Sequence, residues 1–238
     1  MSYTRQMIEI KKSNAMGESD LGWLQSKFHF SFANYYDQHN TNFGVLRVIN
    51  DDIVQPHSGF DTHPHTDMEI VSYVLDGKLS HKDSMGYCSE LQRGHVQYLS
   101  AGTGITHSEY NNEDSKLRLL QIWIYPNAKN LVPQYGEKKF DWFERVGKLM
   151  PIASGNGNYP ITINQDVHMD ALWLQQGETF EYNLSSGRQC YVVLAEGQCT
   201  LNGLKMSFRD GAKVSCAETI AIETVTDSHF LFVEMAKA

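Results

Sequence analysis

Two short segments carry residue types able to do metal chemistry: His63-Pro64-His65 and, 42 positions beyond His65, His107-Ser108-Glu109. Each sets two metal-type ligands at i and i+2. Residues two apart on a β-strand share one face, so either pair is able to converge on a single ion. Three imidazoles and one carboxylate make a mixed N/O site suited to a borderline divalent transition metal, with coordination positions left for water or a substrate. In a chain with 10 histidines an isolated His-x-His pair also arises as a surface accident, so the flanking sequence has to weigh in. Gly59-Phe60-Asp61-Thr62 leads into the first pair. After it come Glu69, the apolar run Ile70-Val71-Ser72-Tyr73-Val74-Leu75 and the turn Asp76-Gly77. The second pair follows the alternating Val96-Gln97-Tyr98-Leu99-Ser100 and the turn-forming Gly102-Thr103-Gly104. Both pairs are therefore expected on antiparallel strands entered from glycine-marked turns.

The elements that must position these ligands are strands throughout. The 238 residues hold 18 glycines and many short apolar runs, a pattern of β-structure rather than of a helical bundle. This length suits two domains of about 100 to 120 residues, each with its own core. Leu117-Arg118-Leu119-Leu120-Gln121-Ile122-Trp123-Ile124-Tyr125 reads as the strand that closes the first domain at Pro126. The expected division is 1–126 for a metal-binding barrel, 127–158 for a connecting region with a charged stretch at 138–145, and 159–238 for a second barrel that N-terminal segments help to complete. Strands are expected in the second half at 161–165, 171–174, 190–195, 212–215, 219–223 and 230–235. This half weakly repeats the first: Val74-Leu75-Asp76-Gly77 has a counterpart in Val193-Leu194-Ala195-Glu196-Gly197, and Arg93-Gly94 in Arg209-Asp210-Gly211. A slide of about 118 positions sets Glu181 and Asn183 where His63 and His65 stand. Asn is a poor ligand for such a metal, so the second barrel is expected to have no metal site.

A net charge of −8 argues against a dedicated nucleic-acid surface, which needs a clustered basic face. The first residues lack an apolar signal core, and no run approaches the roughly 18 apolar residues of a membrane span. The expectation is a soluble cytoplasmic protein with neither nucleic acid nor membrane as partner. Cys88, Cys190, Cys199 and Cys216 show no Cys-x-x-Cys spacing and are expected as free thiols.

The element His63-x-His65-x3-Glu69, followed by a second element ending in His107 with Asn111 four residues on, resembles the motifs of the cupin superfamily. The resemblance narrows to the pirin family. His-Pro-His, Leu79-Ser80-His81-Lys82-Asp83-Ser84-Met85-Gly86 and Ser100-Ala101-Gly102-Thr103-Gly104-Ile105-Thr106-His107-Ser108-Glu109 are similar to bacterial pirin-like proteins with quercetinase activity. Phe30-Ser31-Phe32-Ala33-Asn34-Tyr35-Tyr36-Asp37 and Gln121-Ile122-Trp123-Ile124 extend the likeness over roughly the first 125 residues.

That resemblance implies an all-β bicupin, two antiparallel β-barrel (jelly-roll) domains with short helices. It implies a metal held by His63, His65, His107 and Glu109, and a dioxygenase that cleaves flavonols such as quercetin at the central ring with release of carbon monoxide. Substrate and partner are then a flavonol-like small molecule and dioxygen. Glu109 is the expected fourth ligand and the base for the substrate hydroxyl; Glu69, a ligand in many cupins, is its rival for either role. An even spacing from His65 would keep Glu69 on the same face if the strand is regular. Iron is the expected ion, although the donor set also accepts Ni, Co, Cu, Mn or Zn. His81 and Asp83 form another same-face pair, expected to orient a ligand or shape a turn. One departure matters: eukaryotic pirins place Arg-Gly-Phe where this chain has Thr66-Asp67-Met68, so their nuclear partners do not carry over. The alternative reading is a metal-dependent redox-sensing or regulatory protein with little turnover, which would require a protein partner.

Overall fold

The computed structural model describes residues 7–237, and their regular secondary structure is almost entirely strand. In chain order the strands are β1 (Met7–Lys11), β2 (Gly17–Asp20), β3 (Leu24–Phe28), β4 (Leu46–Val54), β5 (Ser58–His65), β6 (Glu69–Asp76), β7 (Lys78–Asp83), β8 (Cys88–Gln92), β9 (Val96–Ser100), β10 (Ile105–Asn111), β11 (Leu117–Ile124) and β12 (Gln134–Lys138). They continue with β13 (Met150–Ser154), β14 (Ile161–Thr162), β15 (Val167–Leu174), β16 (Thr179–Asn183), β17 (Arg188–Glu196), β18 (Gln198–Leu201), β19 (Leu204–Ser207), β20 (Gly211–Ser215), β21 (Thr219–Thr224) and β22 (Ser228–Ala236). Two 3-10 turns, Ser13–Ala15 and Trp142–Arg145, are the helical pieces among the described residues. None of the described helices is long and apolar enough to cross a membrane.

Two compact units emerge. One comprises Gly17–Trp142 with Ile161–Gln165; the other comprises the N-terminal stretch ending at Met16, Phe143–Pro160 and the chain from Asp166 onward. The cuts differ from a division at 126 and 158. The stretch after Pro126 supplies β12, which pairs with β9, and its charged part forms the 3-10 turn Trp142–Arg145. β1 pairs with β20 in the second unit.

The first unit sets a large sheet, β12-β9-β6-β11-β4-β3-β2, against a small one, β5-β10-β7-β8. Alternation along the strands sends every second side chain inward, and Leu24, Val54, Val74, Leu79, Leu91, Leu117 and Leu119 pack into one buried apolar cluster. The second unit repeats this plan with β1-β20-β17-β22-β15-β13 against β16-β21-β18-β19. In it β16 and β21 take the places of β5 and β10. The inward residues there are Tyr182, Ile220 and Ile222 within an apolar core, whereas Glu181 and Asn183 are exposed. The one-residue difference from the sequence alignment turns the other strand face inward.

One polar cluster interrupts that second core. The Tyr182 hydroxyl lies 2.7 Å from Glu234 Oε2 and 3.2 Å from Asp170 Oδ2, and its single proton cannot serve both carboxylates. Burial, opposed by hydrogen bonds from Tyr159 and Tyr182, raises the Asp170 pKa from 3.8 to about 6. The folded state therefore holds this proton more tightly than the unfolded chain. Its contribution is complete below pH 4 and is lost as pH rises through about 6, a change of roughly 3 kcal/mol. Asp170→Asn is expected to be more stable than the parent above pH 6, with the gap closing by pH 4. Urea unfolding across pH 4 to 7.5 checks this, and a pH-independent difference would contradict it.

Candidate metal centre

β5 and β10 lie side by side, with His63 opposite His107 and His65 opposite Ile105. A register shift between His107 and Glu109 follows, so that Glu109 faces Phe60. Gly59 permits this close approach: a Cβ there would lie 2.3 Å from the Glu109 carbonyl oxygen and 2.6 Å from Tyr110 Cα. At the entry to β10, Gly102 has φ +46° and a Cβ on it would meet the Leu131 carbonyl oxygen at 1.9 Å. Gly59 thus lets β5 lie close against β10 beyond the histidines, and Gly102 lets the turn before β10 lie close against Leu131.

The ring centroids of His63, His65 and His107 are 4.5 to 4.9 Å apart, and one ligand nitrogen from each lies within 4.8 Å of the others. Ligands on opposite sides of an ion bonded at about 2.0–2.1 Å are about 4 Å apart, so small ring rotations suffice to bring all three onto one centre. His63 Nδ1 is 2.7 Å from the Asp61 carbonyl oxygen. Donation there leaves Nε2 as the acceptor nitrogen, the arrangement common to metal-binding imidazoles. Both ring nitrogens of His107 are buried without a protein hydrogen-bond partner. Burial, then the neighbouring imidazoles His107 and His63, lowers the His65 pKa to about 4. Burial with His63 and His81 beside it lowers that of His107 to about 3. Both rings are accordingly neutral at pH 7, with lone pairs available for a cation.

The two candidate carboxylates sit in different surroundings. Glu109 Oε1 accepts hydrogen bonds from Ser72 Oγ and Gln97 Nε2, both at 3.0 Å, and Oε2 accepts from Gln121 Nε2 at 2.7 Å. It shares a ligand cluster with His107 and His81. Glu69, fully buried, begins β6 in the other sheet, because the chain leaves β5 after His65 and turns at Asp67 with φ +47°. The regular strand that would have kept Glu69 on the His65 face does not exist. Glu69 Oε1 accepts from Tyr98 Oη at 2.5 Å, Asn164 N at 2.7 Å and Asn164 Nδ2 at 3.0 Å, and Oε2 accepts from Gln165 N at 2.9 Å. His81 Nε2 lies 3.0 Å from Asp83 Oδ2, and its ring stacks on Tyr135.

The imidazoles open onto a cavity of about 370 Å³ between the two sheets of this unit. Its walls include Trp23, Phe28, Phe32, Phe60 and Trp123, and Trp123 meets the His65 ring edge to face at 5.1 Å. Flat, apolar, ring-bearing molecules suit such a lining.

The fold and these segments have recognisable relatives. The pirin family pattern matches residues 9–124, and a pirin-like protein of Caulobacter vibrioides is 41% identical over 97% of this chain and 100% of its own length. The chain belongs to the pirin family. A second pattern, the quercetinase C-terminal cupin domain, spans residues 151–235 of this pirin, which makes it an all-β bicupin. A quercetin 2,3-dioxygenase of Escherichia coli strain K12 is 38% identical over 96% of this chain and 99% of its own. The crystal structure of the bacterial pirin YhhW from E. coli in complex with nickel(II) matches this pirin with a TM-score of 0.92 at 37% identity, covering 98% of this chain and 100% of that one.

Beyond the residues that the sequence singles out, Ser72, Gln97 and Gln121 hold Glu109, and Asn50 and Asp52 line the cavity. Ser72, Gln97 and Gln121 carry a signal, each being a polar residue between apolar neighbours in a strand segment, whereas Asn50 and Asp52 belong to the polar run Asn50-Asp51-Asp52. A buried polar group needs a partner, and here the partners of three of them meet at one carboxylate.

Proposed function

We propose that this pirin is a metal-dependent dioxygenase that opens the central ring of flavonols such as quercetin, consuming one dioxygen and releasing one carbon monoxide per molecule. His63, His65, His107 and Glu109 are the proposed ligands of one divalent metal, with iron as the ion in the cell, where the protein is taken to be cytoplasmic. The observation that carries this reading is the convergence of three imidazoles, two of them held neutral by burial, on an apolar cavity lined by aromatic rings. A divalent ion there supplies a Lewis acid that favours the ionised form of a 3-hydroxyl beside a 4-keto group.

The chain's own residues do the rest. His63 is oriented by the Asp61 carbonyl, and Trp123 packs against His65 and restricts its rotation. Trp23, Phe28, Phe32 and Phe60 bind the ring system and exclude water. Glu109 is proposed to accept the proton of the substrate hydroxyl, aimed by Ser72, Gln97 and Gln121. Glu69 is proposed as a structural clamp: Tyr98, Asn164 and Gln165 engage its oxygens, and unlike Glu109 it neither lines the cavity nor shares a ligand cluster with a histidine among the described residues.

Gas analysis of aerobic reactions with quercetin tests the reaction type. One carbon monoxide formed per quercetin lost, with equal uptake of dioxygen, is the expected result. Loss of quercetin without carbon monoxide would reject ring opening of this kind. A metal-loaded protein that leaves quercetin intact would transfer the weight to the sensing reading.

A further inference from the structure

We propose that the wall of the cavity facing the three imidazoles is a second, polar subsite, in which Asn50, Asp52 and Trp123 recognise phenolic hydroxyls on the outer part of the substrate. The proposal deepens the flavonol reading and rests on it.

The wall belongs to the large sheet of the first unit. Pairing sets Asn50 between Gln121 on one side and Phe28 on the other, and Asp52 between Leu119 and Ser26. Inward alternation sends Asn50, Asp52, Ser26, Phe28, Gln121 and Trp123 into the same cavity. Gln121 is already committed to Glu109. Asn50 is only 5% exposed and its Oδ1 has no protein donor. The Trp123 indole Nε1 is likewise buried and has no protein acceptor. In a cavity this apolar, an unpaired carbonyl and an unpaired N–H each carry a desolvation cost, which a ligand can remove.

The chemistry of these two atoms narrows what the ligand offers. An amide oxygen only accepts and an indole N–H only donates, so the complement contains both a donor and an acceptor. A hydroxyl is both at once. Asp52, two residues from Asn50 on the same strand face and 3% exposed, brings a carboxyl group to this wall of the cavity. The cavity as a whole therefore selects a flat aromatic body with an enol directed to the imidazoles and phenolic hydroxyls directed to the opposite sheet.

The test compares two probes that share the reacting ring. Quercetin carries hydroxyls on its outer rings, whereas 3-hydroxyflavone has only the 3-hydroxyl. Dissociation constants are measured by fluorescence titration of the metal-loaded protein without oxygen, so that no turnover occurs. Quercetin is expected to bind at least about tenfold more tightly, since each buried polar atom left unpaired costs about 1–3 kcal/mol. Asn50→Leu is expected to shrink that ratio to below about threefold, with metal content monitoring the fold. Trp123→Phe deletes the N–H while keeping a ring beside His65, and carries the test should Asn50→Leu fail to fold. Equal binding of the two probes by the parent protein, or an undiminished ratio in the variants, would overturn the subsite and leave the flavonol reading standing. Failure of the parent to bind either probe would overturn that reading and the subsite with it.

Discussion

His107→Ala is expected to lose bound metal and flavonol cleavage together. His107 is 1% exposed, lies opposite His63 across the β5–β10 ladder, and is the residue common to both ligand clusters, one with His63 and His65 and the other with His81 and Glu109. Replacing a group that merely orients a metal ligand already weakens binding about 10- to 100-fold. Removing a ligand should therefore cost at least about a hundredfold in metal affinity, with turnover falling in proportion. His63→Ala provides the check on folding, since His63 is only partly buried and its loss leaves no comparable internal void. Both variants should be metal-poor and inactive, and His63→Ala should unfold near the parent midpoint in urea. Full metal occupancy in either would remove that histidine from the proposed ligand set.

The second large effect belongs to Glu69, and it is on stability. Glu69→Ala would leave Tyr98 Oη, Asn164 N and Gln165 N without the carboxylate that they now serve. Burial and the Glu69 carboxylate already raise the Tyr98 pKa, so its proton stays on the hydroxyl and needs an acceptor. A buried donor without an acceptor costs about 1–3 kcal/mol, and the loss here should total about 3–5 kcal/mol. Chemical denaturation of the metal-free proteins measures it. Metal content at saturating metal should stay close to that of the parent. A variant of parental stability that no longer takes up metal would assign Glu69 to the metal centre and Glu109 to a supporting role.

Much of this architecture was legible because it is local. The placing of His63 with His65 and of His107 with Glu109 on two strands, the alternation of those strands and the turn at Gly102 depend on neighbours in sequence, and the same alternation separates inward from outward residues along β10 and β11. Features set by distant partners were not legible in this way. The spacing from His65 to Glu69 suggested one strand face, yet a left-handed residue at Asp67 turns the chain into the other sheet. The groups that then engage Glu69 come from Asn164 and Gln165, 95 and 96 positions away. Strand β12 has little apolar alternation of its own, with Gln134, Gly136, Glu137 and Lys138 among its five residues. It is a strand because β9 offers it an edge. In the second barrel the repeat was visible through its turns, but a slide by whole turns cannot resolve a single residue. The face that points inward carries Tyr182 instead of Glu181 and Asn183.

The central claim is that one metal ion in the first barrel makes this pirin a flavonol-cleaving enzyme. Elemental analysis of the purified protein, paired with aerobic quercetin decay followed by visible absorbance on the same sample, tests it most directly. The expected result is close to one metal per chain, with decay that stops when the metal is removed and returns when it is restored. Stoichiometric metal without decay, or decay that persists in metal-free protein, would contradict it.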